Sequence, residues 1–188
     1  MERSFEAVLV EQCAPTLAGM KPASLFRYQS ADKRQPRQVA VRWARELAPY
    51  GITVRILKCC QQTGACLIYL YRDGWLRSIL TEPSNLAFLA RQGYQMEQGC
   101  PGLLLQLSRR LCLEESFPHE IGLFLGYPLE DVVGFIKNRG RNYTCSGCWK
   151  AYGDPEAARK RFDQYHRCTA ICCEKFRQGA AITQLIAA

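Results

Sequence analysis

The sequence predicts an α+β fold: a mostly helical single domain around a small antiparallel sheet. Three observations predict it. Residues 52–71 carry one clear hairpin pattern. Most other segments space their apolar residues by three and four. The composition, 48% hydrophobic and 22% charged, is that of a chain that buries its own core. A length of 188 residues suits one domain, taken as 1–178 with a C-terminal tail at 179–188.

In chain order, residues 3–12 read as a short helix that ends near Cys13, where Ala14-Pro15-Thr16-Leu17-Ala18-Gly19 breaks the apolar run. Ser24 to Tyr28 reads as extended, and the polar, basic stretch 30–37 as a loop. Val39, Trp43 and Leu47 fall on one helix face, and Pro49-Tyr50-Gly51 stops that helix. Ile52 to Cys59 is rich in β-branched residues. Gln61-Gln62-Thr63-Gly64 is a turn, and Ala65 to Tyr71 is a second apolar strand, so the two strands form a hairpin. A lone hairpin is marginal and needs further strands or covering helices. Helices follow at 73–82, 84–92, 102–112, 118–125 and 129–137. The last long helix begins after Asp154, a capping residue with Pro155 at the first helical position. Ala158, Phe162, Tyr165, Thr169, Cys172 and Phe176 lie along one face of it, and Gly179 ends it.

Charge and cysteine usage bound the function. A formal net charge of +8 favours nucleic acid, acidic partners or phosphate-bearing ligands without choosing among them. The N-terminal residues lack the apolar core of a signal peptide. The most apolar run, 102–113, contains Arg109 and Arg110 and is too short and too charged to span a bilayer. The expectation is a cytoplasmic protein with no membrane span and with reduced thiols. The odd number of cysteines, 11, points the same way. No phosphate-cradling glycine loop, zincin helix, hydrolase elbow or paired-carboxylate pattern is present. Cys59-Cys60 is too tight for an ordinary CxxC redox pair.

Three sets of residues carry candidate chemistry. The first is a thiol-dependent site: Cys13 as nucleophile at the Pro/Gly break, His119 as base or ligand, and Lys21 as an electrostatic aid to the thiolate. Glu120, next to His119, is a group that can hold the imidazole tautomer. The second is metal binding. Cys145-x2-Cys148 supplies a thiolate knuckle, and Cys168 and Cys172 sit one helical turn apart, a set that suits tetrahedral zinc. The third is a helix-turn-helix that binds nucleic acid, with Gly126 at the turn and Ile121, Gly122, Leu125, Tyr127, Val132 and Phe135 at the small or apolar positions. Against it, the second helix opens Leu129-Glu130-Asp131, and carboxylates there repel phosphates. Basic and aromatic residues also gather at Arg139, Arg141, Tyr143, Trp149, Lys150 and Tyr152, a combination that suits a flat or anionic ligand. A non-catalytic interaction protein, in which every one of these groups only packs, is the remaining class.

Several segments look like one family: Cys13 to Gly19 with Lys21-Pro22, Phe117 to Pro128, Asp131 to Ile136, and Trp149-Lys150-Ala151-Tyr152. Together they resemble the bacterial domain-of-unknown-function family 3793, found mainly in anaerobes, across nearly the whole chain. The resemblance implies a cytoplasmic single-domain protein and brings no assigned activity. It includes Cys13 and Pro118-His119-Glu120 in its pattern. Relatives carry an aromatic residue where this chain has Cys148, which counts against zinc.

Overall fold

The computed structural model describes residues 3–113 and 116–187; Met1, Glu2, Glu114, Glu115 and Ala188 lie outside the described residues. The chain divides into two compact units, Met1–Gly74 with Tyr165–Ala188, and Trp75–Gln164.

The first unit is built on a three-stranded antiparallel sheet. Its strands are β1 (Ala23–Tyr28), β2 (Ile52–Cys59) and β3 (Cys66–Arg72), in the order β1-β3-β2. The predicted 52–71 hairpin is β2–β3, and β1 supplies the third strand that a lone hairpin needs. Helices α1 (Phe5–Leu17) and α2 (Gln35–Leu47) pack on it. The buried core joins Phe5, Leu9 and Leu17 of α1, Trp43 and Leu47 of α2, Phe26 and Ile68 of the sheet, and Cys168 and Cys172 of the last helix. Residues 35–37, read as loop from their polarity, belong to the first turn of α2. Pro36 sits there at an N-terminal helical position, where its missing N–H costs nothing.

The tail is ordered. Ile182 and Leu185 are buried in a short 3-10 turn, and the Ala187 N–H donates to the Leu17 carbonyl at 3.1 Å. Apolar side chains at 182 and 185 therefore complete the core rather than trail from it.

The second unit is helical: α3 (Asp73–Thr81, starting at the boundary), α4 (Pro83–Arg91), α5 (Gly99–Leu113), α6 (Ile121–Phe124) and α7 (Leu129–Asn138). A two-stranded ribbon follows, β4 (Cys145–Ser146) and β5 (Lys150–Ala151). Helix α8 (Pro155–Arg177) begins in this unit and ends in the other. Asp154 caps α8 as predicted, its Oδ1 accepting from the N–H groups of Glu156 (2.8 Å) and Ala157 (3.3 Å). The buried row on α8 is Ala158, Phe162, Tyr165, Cys168 and Cys172. No helix among the described residues is long and apolar enough to cross a membrane.

Candidate functional site

Cys13 lies inside α1, not after it. Pro15 falls in the last turn, so the helix runs on to Leu17. The carbonyls this leaves without helical partners are taken up locally. Pro15 O accepts from the Met20 and Lys21 N–H groups (2.7 and 3.0 Å). The Arg72 guanidinium donates to the carbonyls of Thr16 (2.8 Å), Leu17 (2.7 Å) and Ala187 (3.0 Å). The 13–24 segment is thus a helix stop held by an arginine. The expected accessible thiol is not there: Cys13 is 0% exposed. Burial pushes its thiol up to about 12, outweighing the lowering by Lys21 and by a hydrogen bond with Ser24. Such a thiol stays protonated at neutral pH.

His119 is exposed in the second unit, whereas Cys13 and Lys21 belong to the first. Its ring lies 4.9 Å from Phe135 and 5.8 Å from Phe117. Glu120 does not orient it. The Glu120 carboxylate is buried and accepts from Tyr94 Oη (3.0 Å) and Arg110 Nη1 (3.2 Å). The Arg110 guanidinium also stacks over the Tyr94 ring at 4.4 Å. Adjacent residues on a helical turn point apart, and here one faces solvent while the other faces the core.

The zinc reading also meets a different arrangement. Cys145 is buried with Ala151, Ala158 and Phe162, with Cys148 packed against that cluster. Cys168 and Cys172 are part of the first unit's core. Burial, and then Cys172, raise the Cys168 thiol to about 12. Among the described residues, no three His, Cys, Asp or Glu side chains gather where they can hold a metal. In this structure Cys145 and Cys148 pack with one apolar cluster and Cys168 and Cys172 with another.

In the helix-turn-helix segment, α6 has only four residues rather than the predicted 118–125. Gly126 does make the turn, with φ 76°. In the first turn of α7, Glu130 is exposed but Asp131 faces inward, 4% exposed. It accepts from Trp149 Nε1 (2.7 Å), Tyr152 N (2.6 Å) and Gly153 N (3.1 Å). A Cβ at Gly134 would run into the Tyr152 ring. The β4–β5 ribbon thus covers a face of the helix that a recognition helix presents to the groove. The basic and aromatic residues remain at the surface: Lys150 Nζ sits 5.0 Å from the Tyr143 ring and 6.0 Å from Phe135.

A disulfide sits at the tip of the β2–β3 hairpin. Cys59 and Cys66 face each other in the ladder with a Cα separation of 4.2 Å and are joined as a disulfide. The remaining nine cysteines are free. The expectation of uniformly reduced thiols is corrected at this pair, because antiparallel pairing places directly opposed Cβ atoms within bonding reach.

Cys60 follows at once, half-buried. Its N–H donates to Ala65 O, and Gly64 N–H donates to Cys60 O, both at 2.8 Å. The Cys60 thiol is held below its ordinary range by hydrogen bonds, first from the Thr63 side chain and then from the Thr63 and Gln62 backbones, with Arg27 adding a weaker pull. Cys66 is buried at 1% exposure, while Cys59 is partly open, so Cys59 is the sulfur that an incoming group reaches.

An open groove of about 410 Å³ runs along this tip, lined by Cys59, Cys60, Gln61 and Gly64 and by Lys33, Arg34, Arg37 and Gln38. Gly64 makes the juxtaposition possible. It has φ +70°, and a Cβ there would lie 2.6–2.9 Å from Lys33 atoms, backbone included. Sequence reasoning found this hairpin and its turn but passed over the sulfurs. The available signal was symmetry: Cys59 and Cys66 sit equidistant from the centre of the turn, so hairpin pairing makes them partners.

No curated protein and no solved structure matches the chain. One family model does, described as a protein of unknown function (DUF3793), and it covers residues 9–186. The segments that suggested this family are the ones built around Arg72, Glu120 and Asp131, and their match extends along almost the entire chain: the protein belongs to the DUF3793 family.

Proposed function

We propose that this protein carries a thiol–disulfide exchange site at the β2–β3 tip, with Cys59 and Cys66 as the redox pair. The observation that carries the reading is a disulfide lying in an open groove with a thiolate-favouring Cys60 beside it. The sequence leads one to expect a cytoplasmic protein, and disulfides in that compartment are mostly transient and catalytic or redox-sensing.

In the exchange, a thiolate attacks Cys59 Sγ. The S–S bond breaks, and Cys66 leaves as a thiolate that takes up a proton. A second thiol then displaces Cys59 from the mixed disulfide. Two thiols become one disulfide, and two electrons reduce the protein pair. The thiol-dependent chemistry expected at Cys13 is thereby moved to a sulfur that solvent reaches.

Equilibration in buffers of defined thiol–disulfide ratio, followed by acid quench, alkylation and peptide mass spectrometry, tests this. Cys59 and Cys66 are expected to titrate together as one two-electron couple, lost in Cys59→Ser and Cys66→Ser. Finding both alkylated independently at every ratio refutes it.

A second reading rests on a separate observation. Phe117, His119, Phe135 and Tyr143 form a partly exposed row of rings around Lys150, near exposed Arg139 and Arg141. Rings interleaved with cations bind single-stranded nucleic acid by stacking and charge. This replaces the groove-reading helix as the nucleic-acid proposal. Salt-dependent binding of an oligothymidine, weakened by Phe117→Ala and Tyr143→Ala, is expected. Equal binding of duplex, or no effect of removing the rings, counts against it.

A further inference from the structure

From the lining of the same groove we infer the substrate class of the exchange site: a small thiol bearing an additional anionic group, a carboxylate or a sulfonate. The inference rests on the exchange reading and specifies what approaches the disulfide.

Five observations converge on it. The groove wall beside the sulfurs consists of Lys33, Arg34 and Arg37, all exposed, with Gln38 next to them, and among the described residues no carboxylate lines it. The nearby Asp32 carboxylate accepts the Arg34 N–H at 2.9 Å, which ties it into the turn. These cations stand at the start of α2, a thirteen-residue helix whose first turn carries no acidic residue, so the positive end of its dipole has the same sign as the side chains. Gly64 keeps the hairpin tip close against Lys33, which holds cations and sulfurs on one small cavity. A cavity of about 410 Å³ suits a small molecule.

The attacking thiolate is itself negative, and it forms next to three positive side chains. Each further negative charge on the reagent raises its concentration at the groove, and salt screens the effect. A cationic thiol meets the opposite field.

The test uses the oxidised full-length protein and three probes: mercaptoethanesulfonate, 2-mercaptoethanol and cysteamine. Rates of Cys59–Cys66 reduction are expressed per unit of thiolate and relative to the same thiol's rate with a small uncharged disulfide, so that differences in reagent acidity and intrinsic nucleophilicity drop out. At about 20 mM salt the anionic thiol is expected to react about ten-fold faster than the cationic one, and the ratio to shrink to about two-fold at about 0.5 M. In the double variant Arg34→Glu, Arg37→Glu the order reverses; in Arg34→Gln, Arg37→Gln the discrimination weakens. Both residues are exposed, so these variants leave the core intact, and an unchanged far-UV circular dichroism spectrum and urea midpoint verify this. Reduction by all three thiols at similar rates, independent of salt and of the arginines, overturns the substrate inference while leaving the exchange site standing. Failure of every thiol to reduce the pair overturns the exchange reading and this inference with it.

Discussion

Replacing Asp131 tests the polar anchor of the second unit. The carboxylate is 4% exposed and receives three N–H groups, from Trp149, Tyr152 and Gly153, at 2.6–3.1 Å. A hydrogen bond to a charged acceptor contributes roughly 1.5–3 kcal/mol, and such terms do not add fully. The three donors belong to half-buried residues that water can partly satisfy. Asp131→Ala is therefore expected to cost about 3 kcal/mol.

Asp131→Asn is the sharper probe. Its remaining oxygen can still accept from Tyr152 and Gly153 as Oδ1 does now, but its amide turns an N–H toward the Trp149 N–H. That clash is expected to cost about 1–2 kcal/mol. It should largely disappear in a Trp149→Phe background, where the opposing donor is gone, so the two substitutions should couple by about 1 kcal/mol. Urea unfolding followed by far-UV circular dichroism measures all four proteins. If both Asp131 variants lie within about 0.5 kcal/mol of the parent, or the cycle shows no coupling, the anchor does not hold the ribbon to α7.

Three further outcomes follow from the same structure. Cys13 makes stability fall in alkali: the thiol is protonated in the fold up to about 12 but ionises near 9.0 when unfolded. Its contribution is complete below 9.0 and is lost as pH rises toward 12, to a total of about 4 kcal/mol, with a slope near 1.4 kcal/mol per pH unit. Urea midpoints between pH 8 and 10.5 should decline more steeply for the parent than for Cys13→Ala, and parallel declines would contradict the burial. Glu120→Ala strands the Arg110 cation in the interior and is expected to cost about 3–5 kcal/mol in the same assay, with Glu120→Gln milder; a neutral effect would place that pair in solvent. Gly64→Ala forces a side chain into a left-handed backbone, at about 1–2 kcal/mol, and pushes it against Lys33. It should reduce the preference for anionic thiols, and an unaltered preference would separate the basic segment from the hairpin tip.

Much of the fold was legible because periodicity and caps are local. The β2–β3 hairpin, the Asp154 cap and most of the buried row on α8 follow from local pattern, although Cys168 rather than Thr169 takes the buried place in that row. The length of α1 did not, because Pro15 removes only its own N–H bond to the preceding turn and the helix continues past it to Leu17, where Arg72, far along the chain, satisfies the end carbonyls of Thr16 and Leu17. The candidate sites fared less well for a related reason. Residue type and spacing do not reveal burial, so Cys13 read as an accessible thiol although it packs in the core. Glu120 read as a partner for His119 and Asp131 as a charge that repels phosphate, yet their actual partners, Tyr94, Arg110 and Trp149, come from elsewhere in the chain. The hairpin sulfurs were within reach of the sequence once register was considered, since Cys59 and Cys66 are cross-strand partners. The basic wall beside them was not, because Lys33 meets Gly64 only through the tertiary fold.

The redox state of Cys59 and Cys66 in buffers of graded thiol–disulfide ratio, read by quenched alkylation and peptide mass spectrometry, is the most direct test of the exchange site. The account predicts a single cooperative two-electron transition confined to this pair, with Cys13 and Cys168 untouched throughout. Independent alkylation of Cys59 and Cys66 across the whole range, or a transition that instead involves Cys13, would contradict it.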